Sequence, residues 1–554
     1  MLSFGRSARV IIYMSAVGLV LLPMSSPVAA QTSPVGARFR IAGTVVSAND
    51  GHALSRARVS IFDTRNPNFR QSMITAEDGR FEFTQLRPGK YDLNGAKRGY
   101  IAAEYDQHEQ FSTAIVTGSG LDTESLMLRL APAAVLSGKV LDEAGDPVRH
   151  ARVTLWREDH GSGVSRVIRA RDDSTDDLGF YEFTPLDGGT YFLSATANPW
   201  YAVHPTSRPE GTVNARTLVD RSLDVAYPTT YYGGATEWED ATPIPVRGGD
   251  RPEVDIHLAP LPALHLLFHS TPNPEQGFTM PALQKQAFDG LAFLGGFETQ
   301  MVSPGLFELT GLLPGKYTVH MPASGDQSGQ VSEILDLTQD SQELDMSSGL
   351  PVSSINASVE VPGEAKLPKG LAIALRDAQR RVVAWRPVDD KGEANFEEIV
   401  PGKYEVRAGS PSRPYSVIRI SSQSSKTSGH ALNVPPGTAL KVTLSLIGGS
   451  VNVEGFVKHA GKAAPGAMVV LVPNNPDSNR ELFRRDQSDL DGSFRLQSVI
   501  PGSYTVLAIE NGWDLDWAQP ATIENYARHG QKIKIGAKGE TSVELSESIE
   551  VQPR

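Results

Sequence analysis

A single motif recurs five times along the chain, and it restricts the fold more than any other feature. Its clearest copy runs Asp78-Gly79-Arg80-Phe81-Glu82-Phe83-Thr84-Gln85-Leu86-Arg87-Pro88-Gly89-Lys90-Tyr91. The other copies run from Gly179 to Tyr191, Gly305 to Tyr317, Gly392 to Tyr404 and Gly492 to Tyr504, each with the tyrosine twelve residues after the glycine. Four of the five carry Pro-Gly just before the tyrosine. Phe81 and Phe83 are two apart, which puts both on one face of a strand and Arg80 and Glu82 on the other. A polar residue followed by Gly reads as a hairpin tip, and Pro-Gly as a second turn, because Gly accepts positive φ and Pro presets its own. Each copy therefore predicts turn, strand, turn, strand. A lone hairpin is marginal in water, so each copy needs a larger sheet around it.

That larger unit is visible on both sides of the motif. The first copy is preceded by Ile41-Ala42-Gly43-Thr44-Val45-Val46 and by Ala57-Arg58-Val59-Ser60-Ile61-Phe62, and followed by Leu126-Met127-Leu128-Arg129-Leu130. Leu136-Ser137-Gly138-Lys139-Val140 and Val453-Glu454-Gly455-Phe456-Val457 open the second and fifth repeats in the same way. The spacing predicts roughly seven short strands per repeat, the pattern of a β-sandwich. The fold class expected is all-β: five tandem transthyretin- or Ig-like antiparallel sandwiches over 38–131, 132–260, 261–347, 348–448 and 449–554. The third and fourth repeats are degenerate. Ala263-Leu264-His265-Leu266-Leu267-Phe268 replaces the Gly-x-Val opening in one, and Glu393-Ala394-Asn395-Phe396 loses the first aromatic in the other. One short helical stretch is expected, from Pro520 to His529.

Residues 1–30 read as a secretory signal: Arg6 and Arg9, an apolar run from Val10 to Met24, then Val28-Ala29-Ala30 as a cleavage site. A secreted, periplasmic or outer-surface protein is expected, with no membrane span in the mature chain. With no cysteine in 554 residues there is no disulfide and no thiolate metal site, so packing alone must hold the fold. A net charge of -12 without a basic run argues against nucleic acid as a partner.

The composite pattern Gly-x-Val, Gly-x-Pro-Val, Ala-x-Val-x-Leu, Asp-x-x-Gly-x-Phe/Tyr-x-Phe and Leu-x-Pro-Gly-x-Tyr resembles the carboxypeptidase regulatory-like domain. The resemblance covers repeats one, two and five well and repeats three and four in part. It implies a transthyretin-like sandwich, akin in fold to collagen-adhesin B-type repeats, and a module that carries no catalytic residues. Tandem copies behind a signal peptide look like large secreted bacterial proteins. A fold of this kind hosts many roles, so function has to be argued from sites.

No catalytic constellation is found. His108-Glu109 is followed by Gln110-Phe111-Ser112, so the second histidine of a zinc-protease helix is missing, and there is no Gly-x-Ser-x-Gly elbow or phosphate loop. Neither a resident metal nor a cofactor is expected. Two acidic turns, Asp172-Asp173-Ser174-Thr175-Asp176-Asp177 and Asp486 with Asp489 and Asp491, offer oxygens to calcium but read more simply as turns bonded to their own backbone. Collagen-adhesin-type domains form Lys–Asn isopeptide bonds. Lys139 and Lys458 lie in first strands, yet they read as solvated edge lysines that discourage strand pairing.

The candidate ligand-binding residues are aromatic. Nine residues after the closing tyrosine stand Tyr100, Trp200 and Trp513 in the three strong repeats. The second repeat adds Tyr201, Tyr227, Tyr231, Tyr232 and Trp238, and the fifth adds Trp517. Flat aromatics beside polar groups suit sugar rings or peptide chains. The competing expectation is that they plug the open end of each sandwich or the joint to the next domain, as a regular offset suggests. The function expected is an exported, non-enzymatic binding or scaffolding module for an extracellular protein or a polysaccharide. The alternatives are a carbohydrate-binding protein using Trp200, Tyr201, Tyr231, Tyr232, Trp238, Trp513 and Trp517, and an accessory domain string of a peptidase.

Overall fold

A computed structural model of the chain describes residues 38–118, 120–205, 220–269, 281–293, 296–322, 330–344, 351–364, 366–377, 382–411, 413–422, 427–428, 430–536 and 541–554. The expected signal segment, 1–30, lies outside the described residues.

The first repeat shows the plan. Its strands are β1 (Phe39–Ser47), β2 (Arg58–Asp63), β3 (Asn66–Ile74), β4 (Arg80–Leu86), β5 (Gly89–Ala96), β6 (Ala103–Glu104), β7 (Ile115–Thr117) and β8 (Leu126–Leu130). One sheet has the order β4-β1-β8; the other has β3-β2-β5-β6, with β7 also on β5. Alternation does what the sequence predicts: in β4, Phe81, Phe83 and Leu86 are buried while Arg80 and Glu82 are exposed. They meet Val59, Ile61, Tyr91 and Leu93 of the facing sheet in one core.

The recurring motif is not a hairpin. β4 pairs with β1, and β5 pairs with β2, so the two strands of the motif belong to opposite sheets. The same holds for the strands Phe180–Leu186 and Gly189–Thr196, and likewise in the three remaining repeats. The reason is burial. A hairpin would place both aromatic rows side by side on one sheet face, whereas an arch lets Phe81 and Phe83 face Tyr91 and Leu93 across the core. The closing tyrosine ties the arch at its corner. Its hydroxyl donates to the carbonyl four residues earlier in every copy: Tyr91 to Arg87 (3.0 Å), Tyr191 to Asp187 (2.9 Å), Tyr317 to Leu313 (2.5 Å), Tyr404 to Val400 (2.6 Å) and Tyr504 to Ile500 (2.6 Å). This is the tyrosine corner of Ig-like sandwiches.

The motif glycine is required for two reasons. Gly79, Gly179 and Gly492 all have φ between 71° and 78°. A Cβ on Gly79 would lie 2.8 Å from the Val45 carbonyl oxygen, and one on Gly179 2.7 Å from that of Val140. The turn also lets the glycine carbonyl accept from the first strand, as Val45 N does to Gly79 (2.8 Å).

Within each of the first four repeats the named strands pair antiparallel except for one pair. The last strand lies parallel to the first: β8 on β1, Ile256–His257 on Ala134–Leu141, Gln342–Leu344 on Leu264–His269, and Ala439–Gly448 on Ser353–Glu360. In the fifth repeat the terminal strand Ile549–Gln552 lies parallel to strands of both sheets and joins them. Lys139 and Lys458 are exposed, but they sit in these central first strands, so they do not protect an edge as expected. Five main hydrophobic clusters fill the five sandwiches. The expected helix forms as α1 (Pro520–Ala527), with Pro at its first turn and Ile523 buried.

The repeats do not form a simple string. The fifth folds back onto the first and second. Asp489 takes Lys90 Nζ at 2.5 Å and the Ala114 amide at 3.0 Å, and Leu490 packs on the core of the first repeat.

Candidate functional site

The seven aromatic candidates fall into three settings. At the end of the second repeat, Trp200 is 87% exposed. Tyr201 packs edge-on against it, ring centroids 5.7 Å apart at 87°. The Tyr201 hydroxyl donates to one oxygen of Glu143, and the Tyr227 hydroxyl donates to the other at 2.8 Å. Glu143 follows the first strand of the repeat, so a β-turn fixes the carboxylate that aims both phenols. Burial opposes the charged Glu143 carboxylate, but the two phenols outweigh it and hold its pKa below the ordinary value. Desolvation and this carboxylate push Tyr201 up to about 12. Both phenols therefore stay protonated as donors across the physiological range. Trp200 presents a free indole face beside a fixed carboxylate and a half-buried phenol.

The second setting is the joint between repeats two and three, and here the platform expectation is corrected. Tyr231 is buried (4% exposed) and Trp238 is half-buried. Both pack around Phe288, which projects from the third repeat: Tyr231 at 5.7 Å, Trp238 at 5.6 Å, with Trp156 at 5.2 Å and Phe192 at 5.1 Å completing a cage. Tyr232 packs on the core of its own sandwich. These rings serve domain docking because a protruding phenylalanine needs apolar cover on all sides.

Trp513 and Trp517 occupy the third setting and are likewise corrected: both are buried, at 6% and 7% exposure. They close a cluster with Ile523 of α1, Phe111 of repeat one and Val164 of repeat two. His108 stacks on Trp513 (5.0 Å, 7°). The Arg485 guanidinium lies 4.3 Å from the Trp517 ring centre, reaches both Glu109 oxygens at 3.1 and 2.7 Å, and donates to the Gly161 carbonyl at 3.0 Å. His108 and Glu109, which the sequence already excluded as a zinc-protease pair, take part in this inter-repeat contact. The expected joint was with the next domain; the joint found is with repeats one and two.

Several carboxylates of the acidic turns bond to backbone amides. Asp176 accepts from the Leu178 and Phe180 amides, both at 2.9 Å, Asp173 from Ser174 and Glu182, and Asp491 from the Ser493 amide. Among the described residues, a His/Asp group that could hold a metal lies elsewhere: His204, Asp224 and His265, between repeats two and three. Sequence reasoning missed it because the members are 20 and 41 residues apart with no periodic relation. It also missed Glu143, whose role depends on a fold contact, and Trp385, 56% exposed on the edge strand Val382–Pro387.

Residues 40–117 match the carboxypeptidase regulatory-like domain. That span covers β1 to β7 of the first repeat; the arch and the tyrosine corner, which lie within it, and the parallel closing strand, which lies beyond it, recur in the other four repeats. Two curated relatives are serine-aspartate repeat-containing protein D from Staphylococcus aureus strains MW2 and MSSA476. Each is 21% identical over 406 residues, which is 64% of this chain and 28% of the relative. The chain thus spans under a third of those proteins. Among solved structures, the Bacillus anthracis TIE protein is 10% identical with a TM-score of 0.17, covering 75% of this chain and 76% of that one. GBS52, the minor pilin of Streptococcus agalactiae, is 12% identical with a TM-score of 0.21, covering 40% of this chain and 96% of that one. Among the described residues no helix is long and apolar enough to cross a membrane.

Proposed function

We propose that the chain is an exported, non-enzymatic scaffold of β-sandwich repeats that binds a partner outside the cell through the Trp200 end of the second repeat. The observation that carries this reading is the exposure of Trp200, 87%, in a chain that buries its other ligand-candidate aromatics or leaves them half-buried. A large ring left in water beside oriented polar groups is a usual mark of recognition. The signal-like residues 1–30 support export. A polysaccharide ligand is the second reading. An indole face stacks on the C–H face of a sugar ring, and Glu143 and Tyr201 stand ready to bond its hydroxyls.

The test is a pull-down of the chain with insoluble polysaccharides and with extracellular proteins, repeated with Trp200→Ala. The substitution is expected to weaken binding about tenfold, equivalent to about 1.4 kcal/mol, while the melting temperature stays within the small range of surface changes. Undiminished binding by the variant removes Trp200 from the site. Binding to proteins but to no polysaccharide removes the sugar reading alone.

A further inference from the structure

We infer that His204, Asp224 and His265 form a zinc site that clamps the second repeat to the third. The inference is independent of the Trp200 reading. His204 and Asp224 lie in the segment that follows the strand Gly189–Thr196 of repeat two; His265 lies in the opening strand Leu264–His269 of repeat three. His204 Nδ1 is 2.8 Å from one oxygen of Asp224, and His265 Nε2 is 3.0 Å from the other. The donor atoms of all three residues lie within 4.8 Å of one another. The other nitrogen of His265, Nδ1, meets Glu308 Oε1 at 2.8 Å.

Three physical arguments converge on a metal. The first is charge. The Glu308 side chain is 0% exposed, His265 4%, His204 9% and Asp224 16%. Two carboxylates in so dry a place need compensating positive charge. A divalent cation held between the two imidazoles and Asp224 supplies that charge directly. The second argument is orientation. Glu308 Oε1 stands on Nδ1 of His265 and so fixes the ring with Nε2 facing Asp224. A carboxylate behind a ligating histidine is the usual outer partner of a zinc ligand. The third is size. Metal–ligand bonds of about 2.0–2.1 Å in a tetrahedron set ligand atoms about 3.3 Å apart. His204 Nδ1 and His265 Nε2 stand 2.8 and 3.0 Å from different oxygens of Asp224, so a turn of that carboxylate is needed to bring one oxygen and both nitrogens around a single ion.

Two imidazoles with one carboxylate select zinc over calcium or magnesium, which favour oxygen ligands. Three protein ligands leave the fourth position to water. His204 is seated for this: its ring lies on Gly311, where a Cβ would meet Nε2 at 3.0 Å, and its carbonyl accepts from Gln300 Nε2 at 3.1 Å. Both anchoring residues belong to repeat three, so the metal would join two domains already in contact.

The experiment uses the full chain, treated with chelator and then titrated with zinc chloride by calorimetry, with cobalt(II) as a spectroscopic stand-in. The expected result is one zinc per chain, a higher melting temperature on loading, and visible cobalt absorption of a four-coordinate site. His204→Ala and the near-isosteric Asp224→Asn should both abolish the signal while keeping the circular dichroism of the wild type. Glu308→Gln should weaken affinity about 10- to 100-fold, the range for an outer partner. A wild-type chain that takes up no zinc, or a His204→Ala chain that binds it as well as wild type, overturns the inference. If either variant fails to fold, the other carries the comparison; if both fail, the wild-type cobalt spectrum decides, a six-coordinate spectrum counting against.

Discussion

Asp92 shows what the packing of repeat five against repeat one demands of single residues. Burial, with Glu104 and Asp489 nearby, pushes its carboxyl up to about 6. Asp486 is also raised to about 6, chiefly by burial, although its carboxylate accepts from the Arg495 amide. A raised carboxyl binds its proton more tightly folded than unfolded. Stability from it is therefore complete below about 4 and lost as pH rises through about 6. Asp92→Asn, which removes the charge, should raise the melting temperature at pH 7.5, with a gain that shrinks as pH falls from 6 toward 4. A gain that is equal at both ends would mean that Asp92 is not held protonated in the fold. The residue scale is also where the sequence was least readable. Tyr100, Trp200 and Trp513 share one offset from their tyrosines, yet Tyr100 pairs with Pro132 at a joint, Trp200 faces water and Trp513 lies under His108. Nothing within a repeat could separate them, because the residue that covers Trp513 is about 400 positions away in the chain.

At the level of the element, the motif was legible in its faces and not in its pairing. Alternation at Phe81 and Phe83 reports which side of a strand is buried. It does not report which strand is the neighbour, and both a hairpin and an arch satisfy it. The tyrosine corner was equally hidden, since a hydroxyl bonded to the carbonyl four residues earlier leaves no periodic trace. The motif glycine, by contrast, was fully readable as a positive-φ turn. Gly492→Ala tests how much more than dihedral preference it supplies. The new Cβ would fall on the Val457 carbonyl oxygen, while Gly461, at nearly the same φ (79° against 78°), has no atom within 4 Å of such a Cβ. Gly461→Ala should cost about 1 kcal/mol, the ordinary left-handed penalty, and Gly492→Ala about 2 kcal/mol or more. Calorimetric melting of the two variants makes the comparison; equal losses would leave the close approach without a role.

Across the whole molecule, five sandwiches were readable but their arrangement was not. Short Pro-containing joints such as Ala131-Pro132 read as stiff connections but carry no inter-domain angle. Repeat five reaches repeats one and two through Arg485, whose side chain is 5% exposed, and through Trp513 and Trp517. Arg485→Ala leaves Glu109 without its partner and opens the space over Trp517. The radius of gyration from small-angle scattering should rise as the fifth repeat detaches. An unchanged scattering curve would show that the stacked aromatics, with Asp489 and Leu490, hold the closure without Arg485.

The parallel closing strand has a mechanical consequence. Because β1 and β8 run side by side in the same direction, the chain enters a repeat at one end and leaves at the other. Tension between those ends pulls the two strands past each other lengthwise. The backbone bonds between Gly43 and Leu126 through Ser47 and Leu130 then carry the load together, where a hairpin pulled from its open end would give way one rung at a time. A chain of such units is built to hold while stretched.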